Sequence, residues 1–145
     1  MAPDDVLPAL EAELAAIWRQ TRAGAREAAR ILHPRLDPTA YPMIGVLGES
    51  GPMRVSDLGA RLFLDKSTVS RQVAAAVRLG LVETAVDPTD ARARLAGLSP
   101  SGQAAYQAVR AERRARWQQA LASWDRAEIV TLTELLAKLR RSGVG

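Results

Sequence analysis

The sequence predicts a mainly α-helical domain that carries one small antiparallel β-wing. Apolar residues recur at helical spacing near both ends of the chain. Between these ends, residues 56–102 show two short helical segments, followed by two extended segments that a polar turn joins. With 145 residues, of which 48% are hydrophobic, the chain can bury a core, so we expect one domain over residues 1–145.

A long helix is predicted first, over about residues 8–33. Leucine, isoleucine and alanine recur along it at three- and four-residue spacing, and Pro8 is tolerated in a first turn whose amides lack partners. Pro34 ends this helix. A short helix is expected over about residues 40–49, where Gly51 stops it.

Two further short helices, separated by a tight turn, follow. Ser56 is placed as the N-cap of the first one, and Leu58, Ala60 and Leu62 are its expected inward residues. Asp65 is expected to cap the second helix, because its carboxylate can accept hydrogen bonds from the free amides of the first turn. This arrangement predicts a helix-turn-helix.

The second of these helices has one apolar face and one polar face, and Gly80 is expected to end it. The apolar face is expected to consist of Val69, Val73, Ala76 and Val77. The candidate DNA-binding residues of its N-terminal half are Lys66, Ser67, Thr68, Ser70 and Arg71. Arg71 is the best candidate for base reading, since a guanidinium group can donate two hydrogen bonds to guanine O6 and N7.

A β-ribbon, or wing, is expected next, with a polar turn over residues 86–92 and a return strand over residues 93–98. Arg92 is expected at its tip, and Arg94 lies two residues on and therefore on the same face. Asp90 is expected to pair with Arg92 and fix its aim. Arginine side chains are attracted into a narrow minor groove, so these three residues complete the predicted DNA-binding set.

The chain after the wing predicts two more helices, one opened by Ser99 and Pro100 and one capped by Asp125. A winged helix over about residues 39–99 does not need this much helix for its own core. Either the termini pack within one chain, or residues 1–35 and 100–145 of two chains interlock as a homodimer, which we favour. Two recognition helices about 34 Å apart would then require a roughly palindromic operator.

Charge and composition agree with an anionic partner and exclude several classes of protein. The net charge is +4, a small excess for one chain that a dimer doubles. The sequence has no cysteine and one histidine, so no metal site, cofactor or catalytic triad is expected, and we predict that the protein is not an enzyme. It shows no long apolar run and no signal peptide, so a cytoplasmic protein without membrane contact is expected.

These motifs together resemble the multiple antibiotic resistance regulator (MarR) family of bacterial transcription factors. The matching stretches are Leu-Asp-Lys-Ser-Thr-Val-Ser-Arg at 64–71, Leu-Gly-Leu-Val at 79–82, Asp-x-Arg at 90–92 and Leu-Ser-Pro-Ser-Gly at 98–102. Their spacing fits without an insertion or a deletion. The sequence departs from the family at Thr84, where arginine is common, and at Ala91, where glycine or arginine is frequent.

The resemblance implies a pocket for small aromatic or phenolic effectors between the dimer helices and the winged helix. Trp18, His33 and Tyr41 lie on segments that would line it. The function expected from the resemblance is a sequence-specific, dimeric DNA-binding regulator, a repressor that a small lipophilic or aromatic ligand releases from DNA. Two alternatives stay open: a regulator that acts by occupancy alone, and a helical interaction dimer that has lost DNA binding.

Overall fold

The fold is known from a computed structural model, which describes residues 4–143. It contains six α-helices and three β-strands within those residues, together with a short 3₁₀ turn at Pro38–Ala40. In chain order they are α1 (Leu7–Leu32), α2 (Tyr41–Ser50), β1 (Met53–Arg54), α3 (Val55–Arg61), α4 (Lys66–Arg78), β2 (Val82–Asp87), β3 (Asp90–Leu98), α5 (Pro100–Ala120) and α6 (Arg126–Arg141). The predicted fold class, mainly helical with a small antiparallel wing, is confirmed.

The contacts within the chain divide it into two compact units, and the boundary along the chain falls inside α5, between Val109 and Arg110. The first unit holds the hydrophobic core, whose largest fully buried side chains come from α2, α3, α4 and β2. They are Met43, Ile44, Leu47, Leu58, Val69 and Val82. No helix among residues 4–143 has both the length and the apolar character needed to span a membrane.

The second unit is helical, and its last helix exposes every apolar residue at least in part. Asp125 begins α6 with a reciprocal capping box, in which its carboxylate accepts from the Glu128 amide while the Glu128 carboxylate accepts from the Asp125 amide. No residue of α6 is buried. Leu135 is 57% exposed, so this helix presents an exposed apolar stripe.

The sheet has the strand order β1-β3-β2, and both pairs are antiparallel. Strands β2 and β3 form the predicted ribbon, with an irregularity between Val86 and Asp87. Strand β1 pairs Met53 with Ala96 and Arg54 with Leu95. The sequence pattern did not predict this third strand, because two residues are too few to show the alternation of a β-strand.

Several of the predicted caps and helix ends agree with the structure. The Asp65 carboxylate accepts from the Thr68 amide, and Asp125 caps α6. Gly80 has φ 75°, the left-handed conformation that ends α4. The Ser99 hydroxyl accepts from the Gly102 amide and so caps the first turn of α5.

Three local predictions were wrong. Helix α3 begins at Val55, before Ser56, because β1 pairing holds Arg54 in an extended conformation directly ahead of it. Ala60 is exposed, and Gly59 is the buried residue, where an added Cβ would lie 3.1 Å from Val69 Cγ1. Val77 is 39% exposed, so the inward face of α4 is narrower than predicted.

Candidate nucleic-acid interface

Helix α4 presents its N-terminal half to solvent while its inner side fills the core. Val69, Val73 and Ala76 are buried, whereas Ser70 and Arg71 are exposed on the other side. This is the arrangement in which the second helix of a helix-turn-helix enters a major groove and its first residues meet base edges.

The Asp65 cap engages two of the predicted hydroxyl groups. Ser67 Oγ donates to Asp65 Oδ1 at 2.7 Å, and Thr68 Oγ1 donates to Asp65 Oδ2 at 2.8 Å. A hydroxyl that already donates can still accept, so these two residues could accept from amino groups on base edges. Within the described chain the Ser70 hydroxyl has no hydrogen-bond partner, so it can donate or accept.

The same cap keeps a negative charge at the start of α4. Hydrogen bonds from Ser67 and then from the Thr68 amide and hydroxyl lower the pKa of the Asp65 carboxyl well below its usual range, with the Arg71 charge a smaller cause. Asp65 is therefore ionised at neutral pH. Arg71 Nη2 lies 3.4 Å from Thr68 Oγ1, a long contact that leaves most of the guanidinium group open.

A polar network fixes the wing at its tip, around the buried side chain of Asp87. Asp87 Oδ1 accepts from the Thr89 amide and hydroxyl, each at 2.8 Å. Arg54 Nε donates to Asp87 Oδ2 at 2.5 Å, and its Nη2 donates to Thr89 Oγ1 at 3.1 Å. We call Arg54, Asp87 and Thr89 the wing clasp. It lowers the pKa of the Asp87 carboxyl, chiefly through Thr89, and raises the pKa of Arg54 through Asp87.

The predicted wing residues lie on β3, although not all as expected. The tip is formed by Pro88 and Thr89, so Arg92 lies inside the strand and not at the tip, because β3 already begins at Asp90. Asp90 Oδ1 accepts from the backbone amide of Arg92 at 3.0 Å, and no ion pair joins the two side chains in the described chain. Asp90 therefore fixes the backbone of Arg92 and leaves its guanidinium group exposed.

Arg94 differs from Arg92 in its surroundings. Arg94 Nη2 donates to Oγ1 of Thr84 on the neighbouring strand at 2.7 Å. Thr84 is one of the two positions where the sequence departs from the family pattern. Because this bond holds part of the Arg94 guanidinium group against the sheet, Arg92 is the freer of the two cations.

The three residues predicted for an effector pocket lie in the first unit. Trp18 is 61% exposed, and His33 and Tyr41 are half-buried. One cleft of about 430 Å³ is lined by α1 residues and Pro38, and another of about 230 Å³ lies between residues 35–40 and α4. Neither is lined by the three predicted residues.

Two polar residues of this region, Gln72 and Arg54, were not predicted from the sequence. Gln72 Nε2 donates to the Thr39 carbonyl at 3.3 Å, while its Oε1 is buried and finds no hydrogen-bond partner among residues 4–143. Arg54 lies 33 residues from Asp87, so no local pattern links them. Among residues 4–143, no group of three histidine, cysteine or acidic residues could hold a metal ion.

Comparison with known proteins agrees with this geometry. The sequence profile of the MarR family matches residues 36–93, which run from the segment after α1 into strand β3 of the wing. YxaD, an uncharacterized HTH-type transcriptional regulator from Bacillus subtilis strain 168, is 33% identical over 107 residues. The match covers 74% of this chain and 75% of YxaD.

Solved structures share the fold at lower identity. The MarR family transcription regulator SP03579 superposes with a TM-score of 0.80 at 23% identity, over 95% of this chain and 89% of that one. NadR, solved in complex with 4-hydroxyphenylacetate, gives a TM-score of 0.69 at 19% identity, over 97% of this chain and 94% of NadR. From the profile and from YxaD together, we conclude that the chain belongs to the MarR family of winged-helix, DNA-binding transcriptional regulators.

Proposed function

We propose that this protein is a dimeric repressor that binds a roughly palindromic operator and is released by a small aromatic or phenolic ligand. The observation that carries this proposal is the exposed N-terminal half of α4, with the open Arg71 guanidinium group and the unpartnered Ser70 hydroxyl, beside a wing that exposes Arg92. These groups match direct readout in a major groove and arginine contact in a minor groove. The action is binding in the cytoplasm and involves no catalysis.

The proposed DNA-binding residues are those of α4 and β3. They are Lys66, Ser67, Thr68, Ser70, Arg71, Asp90, Arg92 and Arg94. Arg71 would read a base, Arg92 would enter the minor groove, and Asp90 would position Arg92 through the backbone bond. With a net charge of +4 per chain, a dimer would bring +8 to an anionic duplex, twice the charge of one chain.

The apolar faces of the first and last helices support dimerisation. Leu10 and Ile17 of α1 are 46% and 50% exposed, and Leu132 and Leu136 of α6 are 38% and 47% exposed. Soluble proteins rarely leave such stripes in water. We propose that residues 1–35 and 100–145 form the dimer interface and that residues 39–99 form the DNA-binding module.

Two observations support ligand control: the sequence has no cysteine, and one structural neighbour was solved with a bound phenolic acid. Without cysteine, thiol oxidation cannot release the protein from DNA. NadR holds 4-hydroxyphenylacetate within the same fold. A ligand that binds more tightly to dimers whose recognition helices are wrongly spaced would increase the population of those dimers. It would thereby release the protein from the operator. We propose that Trp18, His33 and Tyr41 line such a site in the dimer.

The proposal is tested by binding measurements on DNA that the protein selects for itself. Fragments bound by the purified protein are sequenced, and a labelled duplex carrying the shared motif is titrated by fluorescence polarisation. We expect the motif to be an inverted repeat. A motif without symmetry would contradict the dimeric arrangement.

The same assay tests release. An aromatic carboxylate such as 4-hydroxyphenylacetate, at micromolar to millimolar concentration, is expected to weaken DNA binding and to raise the melting temperature of the free protein. Mild peroxide is expected to change nothing. Loss of DNA binding under peroxide that a reductant restores would contradict the non-redox mechanism.

One observation favours a second candidate, a regulator that acts by occupancy alone. Two clefts of the first unit are lined by residues other than Trp18, His33 and Tyr41. If a broad panel of aromatic acids and phenols leaves both DNA binding and the melting temperature unchanged, this second candidate replaces the ligand-controlled repressor.

A further inference from the structure

Phe63 stands out in the turn between α3 and α4. Its φ is 54°, and within residues 4–143 it is the only residue other than glycine with a positive φ. Its side chain is 96% exposed. A bulky residue in the left-handed region is a genuine outlier, since its Cβ crowds the following carbonyl.

The fold gives no reason for an aromatic ring at this position. The hydrogen bonds of the turn are made by the backbone: the Phe63 amide donates to the Ala60 carbonyl at 3.3 Å, and the Leu64 amide donates to the Gly59 carbonyl at 2.9 Å. Glycine would adopt the same φ without strain and make the same bonds. The ring is nearly all in solvent and adds almost nothing to the core. Backbone strain combined with an exposed aromatic ring points to a function.

The place of Phe63 in the fold indicates what the ring meets. It precedes Lys66, the first residue of α4, by three residues, and the N-terminal end of a recognition helix is the end that enters the major groove. With α4 placed in the groove, the turn would lie at the groove wall. Two exposed cations flank Phe63 in the sequence, Arg61, whose Nη1 donates to the Ser50 hydroxyl at 2.7 Å, and Lys66; both would attract the phosphates of the same wall.

We propose that Phe63 makes an apolar contact with DNA at the wall of the major groove, against a deoxyribose or the methyl group of a thymine. This inference rests on the proposed placement of α4 in the major groove. Phenylalanine is one of the residues that contact thymine methyl groups in protein–DNA complexes, and a sugar face offers similar apolar surface. The contact contributes affinity without neutralising a phosphate.

The test compares Phe63→Gly and Phe63→Leu with the parent protein on the self-selected operator duplex. Glycine removes the ring and the strain, whereas leucine keeps an apolar side chain at the same φ. We expect Phe63→Gly to bind about ten-fold more weakly, as loss of a partly buried aromatic contact in each half-site implies. Phe63→Leu should lose about three-fold or less.

Two further readouts separate a DNA contact from a structural role. The dependence of the affinity on salt should keep the slope of the parent protein, because no cation is lost. The melting temperature of Phe63→Gly should equal or exceed that of the parent, because the strain of the turn is relieved. A duplex with uracil in place of thymine then shows which apolar group is touched: weaker binding by the parent alone identifies a methyl group, and unchanged binding identifies the sugar.

Several results would overturn the inference. Parent-like binding by Phe63→Gly places the ring away from DNA, and a melting temperature lowered by several degrees assigns it to folding. An altered salt slope would show that the substitution changes the number of cationic side chains that contact phosphates. Arg71→Ala is the reference: if it loses affinity while Phe63→Gly does not, the placement of α4 stands and only the role of Phe63 fails. If neither variant loses affinity, the placement fails as well.

Discussion

Arg71 and Arg92 carry the same guanidinium group in two different settings. Arg71 lies on α4 beside the Asp65 cap, with one long contact to Thr68. Arg92 lies on β3, with its backbone fixed by Asp90 and its side chain exposed. A guanidinium group on a recognition helix can read a base, whereas the binding of one on a wing depends on the width of the minor groove and on the phosphate charge.

These settings predict different effects of alanine substitution. Arg71→Ala should cost about 1–3 kcal/mol per half-site and relax the preference at one base pair. Arg92→Ala should weaken binding to all sequences more evenly and reduce the salt slope by about one per wing. Titrations of operator variants at several salt concentrations measure both effects. If both variants bind like the parent, the groove assignments are wrong.

The Asp65 cap predicts a dependence of stability on pH. Its pKa is lowered in the folded protein, so the ionised carboxylate stabilises the fold above its unfolded pKa of about 3.9, and this stabilisation is lost as the pH falls below that value. Asp65→Ala should lower the melting temperature by about 2–6 °C at pH 7. The difference from the parent should shrink below about pH 4.

Asp65→Asn is the matched control for the cap, because its amide oxygen still accepts from the Thr68 amide but does not titrate. Its advantage in melting temperature over Asp65→Ala should be the same at pH 3 and pH 7. Calorimetry of the three proteins across this range checks the prediction. An equal gap between parent and Asp65→Ala at both pH values would show that the carboxylate charge contributes nothing.

At the scale of elements, the wing depends on a residue outside the ribbon. Arg54 of β1 holds Asp87 and Thr89, and Asp87 is only 6% exposed. The Asp87 carboxylate is buried and accepts three hydrogen bonds, so it orders the turn before the protein binds DNA. An ordered wing loses less conformational entropy on binding than a mobile one.

Arg54→Lys tests the wing clasp, because lysine keeps the charge but cannot reproduce the fork that reaches both Asp87 and Thr89. We expect faster hydrogen exchange of the Thr89 amide and DNA binding that is about two- to five-fold weaker. Exchange at the Thr68 amide, in the Asp65 cap, serves as the internal control and should not change. Unchanged exchange at Thr89 would show that the clasp does not order the wing.

The elements that sequence reasoning predicted are those with local signals. Helix α4 has a periodic apolar face, an acidic cap and a glycine stop within 16 residues, and all three signals act over one or two turns. Strand β1 and the wing clasp depend on contacts between residues more than 30 positions apart. Such contacts leave no periodicity. The position of Arg92 was missed because β3 begins at Asp90, three residues earlier than the alternation indicated.

At the scale of the whole molecule, the exposed apolar faces of α1 and α6 predict that the protein is a dimer at micromolar concentration. Light scattering should give twice the monomer mass of 15.6 kDa. Leu135→Glu places a charge on the α6 stripe and should shift the mass toward the monomer. Val86→Glu places the same charge on an exposed apolar residue of the wing and should leave the dimer intact.

A mass of 15.6 kDa for the parent protein at micromolar concentration would contradict the dimer. The same outcome would remove the reason for a palindromic operator, since the symmetry of the site follows from that of the protein. If Leu135→Glu stays dimeric while α6 remains helical, the interface lies on another face of the chain.

The pairing of β1 with β3 bears on which operators the protein can tolerate. Strand β1 runs directly into α3 at Val55, so the wing and the helix-turn-helix are joined by backbone hydrogen bonds and by Arg54. Neither the wing nor the helix-turn-helix can therefore move alone to reach a displaced half-site. One added base pair between half-sites turns one of them by about 35° around the duplex axis. A half-site turned by that angle can be met only if the whole winged helix moves as one body, so any tolerance for spacer length has to come from the helices that join the two protomers.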